Sequence, residues 1–420
     1  MGTSNVQSKK ASLKSITNHF TNKLINVIMK RVLLLAATAA MLVSANAQQE
    51  ITLTKVNDAA WPSNLKTADC RQGFGLNNNF YIQDKGQQLG QVLNLNGEFA
   101  TDNFSEDYCH YPSTANTACT YDESGNFIFA GWAFPNSPGA DAAITIVSAD
   151  RTQTKQVTIP ADLIKGRCDF LGMGKGNLLQ EGQLLVVGAT NTGVAVLTFN
   201  ENGLDEDNSY EATVNGTAVT ATTSTIVSPW TDHNGVGHYL YVTRNAKPVD
   251  MAMEDDGNFT GQPLTLPNKG ACNGAQAFTM GGRNFIVYPT PANYLDGFAI
   301  AELLIDENNT ITVSEEPVAS VAPVATANAN VFQADWVNAE VISESKANIY
   351  QVYPGGALRK YEFYVPGAQT AVNDVNASKT VSSVQYVNLA GQMSATPFEG
   401  VNIMVKTYTD GSKHAAKVVK

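Results

Sequence analysis

The stretch Asn116–Phe134, NTACTYDESGNFIFAGWAF, sets the pattern of this chain: small residues lead into a cysteine, a short apolar run follows, then a turn rich in Gly and Asn, then a stronger apolar run. The same opening recurs as TADC at Cys70, GRCD at Cys168 and KGAC at Cys272. The first three cysteines of this series stand about 50 residues apart and the last about twice as far on, the spacing of a long structural repeat. Two places in the series are left over, near Ser224 in TATTSTIVSPW and near Asn330 in ATANANVFQADW. Both carry small residues and lead into a strand pattern.

Within each unit, short runs alternate apolar and polar residues, the period of a half-buried strand. Such runs are NFYIQ (Asn79–Gln83), LLVVGA (Leu184–Ala189), YLYVTR (Tyr239–Arg244), NFIVYP (Asn284–Pro289) and NIYQVY (Asn348–Tyr353). Between them stand the turns DESGN (Asp122–Asn126), NENG (Asn200–Gly203), EDDGN (Glu254–Asn258) and DENN (Asp306–Asn309), where Gly and Asn tolerate the positive φ of tight hairpins. A period of about 50 residues with about four strands per unit predicts an all-β propeller. Six blades would run from about Leu65 to Val365, with a seventh if Ile51–Val56 contributes a closing strand. Ring closure removes the exposed sheet edges that invite aggregation.

A chain of 420 residues is long for one domain, and the economical division is one large body, 48–365, a small polar linker, 366–380, and a tail module, 381–420. Charged residues make up only 15% of the chain, a balance that suits an extracellular sheet protein. The formal net charge of −11 argues against nucleic acid as a partner, because phosphate binding needs clustered Lys and Arg. The segment beginning MKRVLLLAATAAMLVSANAQQE at Met29 has a basic start, an apolar centre and small residues before a cut after Ala47, so 29–47 reads as a secretory leader. Its apolar run, Val32–Val43, is shorter than the roughly 20 residues of a membrane helix, which predicts no transmembrane anchor. Residues 1–28 lack a leader pattern and read as sequence upstream of the true start.

The tail contains three strand candidates, VQYVNL, VNIMVKTY and AAKVVK, separated by turns at Gly391, Gly400 and Gly411, which together make half of a small sandwich. It resembles the C-terminal sorting domain of the type IX secretion system of Bacteroidetes. Tyr386, Asn388, Leu389 and Gly391 match the family's Y-x-x-x-G strand and turn. Pro397, Gly400, Val401 and Ile403 match its P-x-x-G-x-Y-I-V strand, with Asn402 where the commonest form has Tyr, and Lys417, Val418, Val419 and Lys420 match its terminal K-V-V-K. The resemblance covers about 40 residues and implies the type IX machinery as a partner, passage through the periplasm and outer membrane, and release or attachment at the cell surface. It implies nothing about the body's activity.

The chemistry-bearing residues are sparse. Cysteines at matched places on neighbouring blades would stand beyond the roughly 7 Å reach of a disulfide, and no C-x-x-C pair marks a metal site. Buried, small, apolar thiols are the expected role, with Cys109 able to pair with Cys119 across a loop. TDHNGVGH brings Asp232, His233 and His238 close in sequence, but its composition reads as a solvated hairpin. No G-x-S-x-G or H-E-x-x-H occurs. The acid runs at Asp102, Glu106, Asp107, Asp205, Glu206, Asp207, Glu254, Asp255 and Asp256 read as turn charge. Aromatics are the better pointer: Trp132, Trp230, Trp336, Tyr108 and Tyr294 are the expected ligand contacts, with Trp61 and Tyr111 in similar loop-like surroundings. The packing alternative is that repeat-matched Trp residues fill the space between blades. The sequence therefore predicts a secreted or surface propeller that binds a glycan or a protein without cofactor or metal. A glycan hydrolase or lyase using propeller-face carboxylates and a purely structural surface protein are the alternatives.

Overall fold

The structure is a computed structural model that describes residues 50–84, 86, 89–100, 104, 118–130, 142–222, 224–244, 246–267, 274–290, 297–323, 336–366, 381–388, 392–409 and 413–419. The leader at 29–47, residues 1–28 and linker residues 367–380 lie outside them. Apart from one 3-10 turn at Glu206–Asn208, every regular element among the described residues is a strand. No helix among them is long and apolar enough to cross a membrane. The chain divides into two compact units, Met1–Pro366 and Gly367–Lys420.

The first unit enters through β1 (Thr52–Ala60) and then lays down antiparallel sheets in chain order. The first comprises β2 (Cys70–Leu76), β3 (Asn79–Asp84) and β4 (Leu89–Asn94), and the second β5 (Ala118–Tyr121), β6 (Phe127–Ala130), β7 (Ala142–Val147) and β8 (Thr154–Ile159). The third holds β9 (Lys175–Asn177), β10 (Glu181–Val186), β11 (Val194–Asn200), β12 (Gly203–Leu204) and β13 (Tyr210–Ala212). The fourth holds β14 (Ile226–Thr231), β15 (Gly237–Val242), β16 (Val249–Met253) and β17 (Phe259–Pro263). The fifth holds β18 (Gln276–Met280), β19 (Arg283–Pro289), β20 (Phe298–Ile305), β21 (Ile311–Val313) and β22 (Ala319–Val321). The sixth is β23 (Trp336–Ser343), β24 (Lys346–Tyr353) and β25 (Ala357–Tyr364), with β1 as its outermost strand.

These sheets close a circuit. The leading strand β2 packs on β5 and on β23, β10 packs on β14, β14 on β18, and β18 on β23. A parallel bridge between Asp122 and Gly174 joins the second sheet to the third. This is a β-propeller, and the local sequence explains it. Each sheet is covered on both faces by its neighbours, so the strands near the axis are apolar on both sides: ACTY of β5 and FIFA of β6 are buried throughout. The outer strand β8 is half exposed and alternates. Between the second and third sheets lie Ile128, Ile144, Ile146, Leu184 and Leu197. Between the fifth and sixth lie Phe285, Ile300, Ile349 and Phe363.

Leading strands of separate sheets share no continuous ladder, yet their buried backbone groups need partners. Buried side-chain amides supply them. Asn338 Oδ1 accepts from Gly75 N at 2.9 Å while its Nδ2 donates to Gly75 O at 2.8 Å, tying β23 to β2. Gln72 Nε2 donates to Leu171 O at 2.7 Å and its Oε1 accepts from Leu171 N at 3.0 Å. The backbones approach so closely at Gly75 that a Cβ there would overlap the Tyr350 ring of β24. Gly75→Ala is therefore expected to cost about 1–3 kcal/mol through overpacking. It should lower the urea midpoint without changing the slope of the transition.

Cys70 and Cys119 sit on the leading strands β2 and β5, and Cys168 lies ahead of β9; all three are buried. Cys119 Sγ donates to Gln72 O at 3.4 Å. Burial, with the charges of Asp84 and Asp69, pushes the Cys70 thiol far above its ordinary pKa, so it stays protonated. Cys109 and Cys272 lie outside the described residues. The segment Ile51–Val56, expected as a possible closing strand, feeds β1, which pairs with β25 from Thr52↔Tyr364 to Ala60↔Ala357 around a bulge between Lys55 and Asn57.

The second unit is one antiparallel layer in the order β27 (Met393–Ser394), β26 (Val381–Asn388), β28 (Val401–Tyr408), β29 (Lys413–Val419). Tyr386 pairs with Met404 and Ser394; Lys417, Val418 and Val419 pair with Ile403, Asn402 and Val401. Gly400 has φ 84°, which a side chain would strain. Asn402, where the resembling family favours Tyr, is buried and holds the preceding turn: its Nδ2 donates to Phe398 O and Gly400 O and its Oδ1 accepts from Phe398 N. Gly391 and Lys420 lie outside the described residues.

Candidate functional site

The register of the fourth sheet places chemistry on one face. Trp230 of β14 lies opposite His238 of β15, Leu240 of β15 opposite Asp250 of β16, and Asp250 opposite Gln262 of β17. Side chains two apart share a face, so Trp230, His238, Asp250 and Gln262 point the same way, while Tyr239, Tyr241 and Met251 pack on the other side against the third sheet. Trp230 Nε1 donates to Asp250 Oδ1 at 2.9 Å, and His238 Nδ1 meets Asp250 Oδ2 at 3.0 Å. The indole and imidazole rings stack, with centroids 4.6 Å apart and an interplanar angle of 22°. Both oxygens of Asp250 are thus committed.

The other ring nitrogen is not. His238 Nε2 has no hydrogen-bond partner although the side chain is only 8% exposed, and its nearest carboxylate oxygen is Asp232 Oδ2 at 3.7 Å, beyond hydrogen-bond reach. Asp232 Oδ1 caps the β14–β15 turn by accepting from Asn234 N and Val236 N, both at 2.8 Å. The same turn device recurs at Asp122 and Asp306. At Asp122 the second oxygen is satisfied by Leu178 N of the next sheet and by Asn126 Nδ2. At Asp232 the second oxygen faces His238 instead.

Burial alone would push the His238 pKa down, but the Asp250 hydrogen bond and the charges of Asp250 and Asp232 outweigh it and hold the imidazole above its ordinary value. Beside the histidine lies a cavity of about 320 Å³, at the small end of ligand pockets. Asp232, His238 and Asp250 form its polar end; Val236, Ala252 and Ile305 supply apolar surface, and Asn309 reaches in from the β20–β21 turn of the fifth sheet. Among the described residues no three His, Cys, Asp or Glu side chains are grouped to hold a metal.

The hairpin TDHNGVGH is exposed from His233 to Gly237, as a solvated hairpin would be, while Asp232 and His238 at its two ends are buried, 5% and 8% exposed. His233 parts from them, its N–H donating to Asn284 Oδ1 at 2.8 Å and its Nδ1 meeting Asn284 Nδ2 at 2.8 Å, which pins the turn to β19. Trp230, expected as a ligand contact, is 4% exposed and does not line the cavity. Its ring lies in a buried cluster and its Nε1 fixes Asp250. Trp61 Nε1 donates to Leu65 O at 2.9 Å, and Trp336 opens β23. Trp132, Tyr108, Tyr111 and Tyr294 lie outside the described residues, as do Asp102, Glu106 and Asp107. Glu206, Asp207, Glu254, Asp255 and Asp256 are exposed turn charge. Sequence reasoning missed Asp250, whose signal is a lone acid inside the apolar strand VDMAM.

No protein-family model and no curated protein matches the chain. Solved structures similar to it include a streptogramin B lyase (11% identity, 76% of this chain and 99% of that one, TM-score 0.39). A protein of unknown function from Dyadobacter fermentans aligns at 10% identity over 75% of this chain and 99% of its own, with TM-score 0.46. AofleA from Arthrobotrys oligospora aligns at 12% identity over 88% and 90%, with TM-score 0.41.

Proposed function

We propose that this chain is an exported β-propeller that binds a glycan, and that the cavity beside His238 receives it. The observation that carries the reading is a cavity of about 320 Å³ lined by His238, Asp232 and Asp250, with the buried His238 Nε2 left without a hydrogen bond behind it. A buried polar atom without a partner is costly and is a place where a ligand group is rewarded. A cavity of that size fits a sugar-sized group, whereas a protein partner needs a flat patch of roughly 800 Å² per side. Hydrolysis is less well supported. Glycosidic cleavage uses two available carboxyl groups, and here Asp250 spends both oxygens on Trp230 and His238 while Asp232 keeps one. A glycan array probed with the full chain is expected to retain it on at least one neutral glycan class; no retention on any glycan would remove this reading.

Export is the second half of the proposal, supported by the leader at 29–47 and by the tail motifs at Tyr386, Gly400 and Lys417–Val419. Without Lys413–Lys420 the tail layer loses β29, the outer partner of β28. In a bacterium that carries a type IX system, the chain lacking those residues is expected to accumulate in the periplasm while the full chain reaches the medium or surface. Equal export of both forms would overturn this half.

A further inference from the structure

We infer that the body carries a second binding site, on the face of the fourth sheet opposite His238, which takes a small aromatic carboxylate and holds its carboxyl group with Lys247. The site is a cavity of about 220 Å³ between the fourth sheet and the segment 213–222 that leaves the third. It is independent of the glycan-binding reading, because His238, Asp232 and Asp250 take no part in its lining.

The segment that walls the cavity is pinned at one end. Val214 bridges Phe259 of β17 in parallel, and Asn215 exchanges both amide hydrogen bonds with the Gly261 backbone, at 3.0 and 2.9 Å. Val214 and Val219 of this segment, with Tyr241, Val249, Met251 and Pro263 of the sheet, form the apolar walls. Tyr241 and Met251 are buried, whereas Val214, Val219 and Val249 are half-buried and Pro263 is exposed, so a ligand reaches these walls from solvent. An apolar cavity of ~150 Å³ already takes a benzene ring, and this one has room for a ring with one small substituent. A tyrosine ring and a methionine thioether are favourable neighbours for that ring.

The polar atoms decide the substituent. Most hydroxyls of the lining are engaged within the protein: Tyr241 Oη donates to Thr220 O at 2.6 Å, Thr217 Oγ1 donates to Val214 O at 3.0 Å, and Thr243 Oγ1 is 3.1 Å from Thr222 Oγ1 and 2.8 Å from Thr225 Oγ1. Lys247 is the only charged residue of the lining. It is exposed, and its Nζ donates to Thr265 Oγ1 at 3.0 Å, which leaves the ammonium with further N–H donors. Lys55, Lys165 and Lys346 each pair with a carboxylate, but Lys247 pairs with none among the described residues. A ligand carboxylate supplies that anion through a charge-assisted hydrogen bond, while a ligand ammonium would meet like charge.

Calorimetry and ligand-observed nuclear magnetic resonance of the full chain with benzoate and phenylacetate, set against benzamide and benzylamine, test this. At least one carboxylate is expected to bind about tenfold tighter than either uncharged or cationic counterpart. Lys247→Gln is expected to weaken that binding about fivefold, and Lys247→Arg to keep it within about twofold. Raising salt from about 0.02 to 0.5 M should weaken it as well, since Lys247 is exposed. Ala246→Leu, which narrows the cavity beside an intact Lys247, is expected to abolish it, with far-ultraviolet circular dichroism separating lost binding from lost folding. No binding by either carboxylate, benzamide or benzylamine binding as tightly as the carboxylates, or carboxylate binding unmoved in a folded Lys247→Gln variant would each overturn the inference and leave glycan binding standing.

Discussion

A chain lacking Ile51–Ala60 is expected to lose its cooperative thermal transition and to elute as aggregate. β1 is the outermost strand of the sixth sheet, contributing eight register pairs to β25 across a separation of about 300 residues. At a net worth of about 1 kcal/mol per hydrogen bond, the ladder alone approaches the roughly 5–15 kcal/mol that holds an ordinary domain. The side chains add to it. Asn57 Oδ1 accepts from Lys360 N at 2.6 Å, and its Nδ2 donates to Leu358 O. Asp58 Oδ1 accepts from the largely buried Arg359 at 2.7 Å. Ile51 and Leu53 cover the Phe363 and Val365 end of one interior cluster, and Ala59 joins Leu358 in another. Without β1, β25 becomes a long edge flanked by apolar side chains, a template for intermolecular pairing. A synthetic peptide of residues 50–61 added during refolding is expected to recover soluble protein. A deletion variant that melts cooperatively within a few degrees of the full chain would refute the closing role of β1.

The repeat was legible because its markers are local. Cys70 and Cys119 stand on leading strands, and Ser224 lies two residues before β14, since a small residue is needed where backbones converge near the axis. The turns DESGN, NENG, EDDGN and DENN each join adjacent strands, as Gly and Asn dictate at short range. The sheet that Ile51–Val56 would join was not legible. A strand's own residues specify which face is apolar, but the choice between a new sheet and the free edge of β25 depends on residues about 300 positions away. The site was hidden for a related reason. Composition around Asp232, His233 and His238 describes a turn, and only cross-strand register sends His238 inward and His233 toward Asn284. Alternation in HYLYV places His238 with Leu240 and Val242, and the acid in VDMAM breaks an apolar run. Those two irregularities are the readable trace of a buried ion pair, though neither reveals its partner.

Asp250→Asn is expected to destabilise the body by roughly 3 kcal/mol near pH 6, the usual cost of removing one partner from a buried pair, and by less as the solution becomes alkaline. In the native protein His238 is held above its ordinary pKa, so the folded state binds a proton more tightly than the unfolded one. That stabilisation is fully present below the unfolded histidine value of about 6.5 and is lost as pH rises through the folded value. Asparagine keeps the shape and can still accept from Trp230 Nε1, but it removes the strongest favourable partner of the protonated ring, leaving Asp232 alone to oppose the downward pull of burial on the pKa. The stability difference between native protein and variant, measured by urea denaturation from pH 5.5 to 9, should therefore shrink with rising pH. Trp230→Phe provides the contrast: it deletes one donor to Asp250 and leaves both charges, so its cost of about 1 kcal/mol should vary far less across the same range. A gap for Asp250→Asn that stays constant or widens toward pH 9 would mean that His238 is neutral in the folded state and that Asp250 stabilises it only as a hydrogen-bond acceptor.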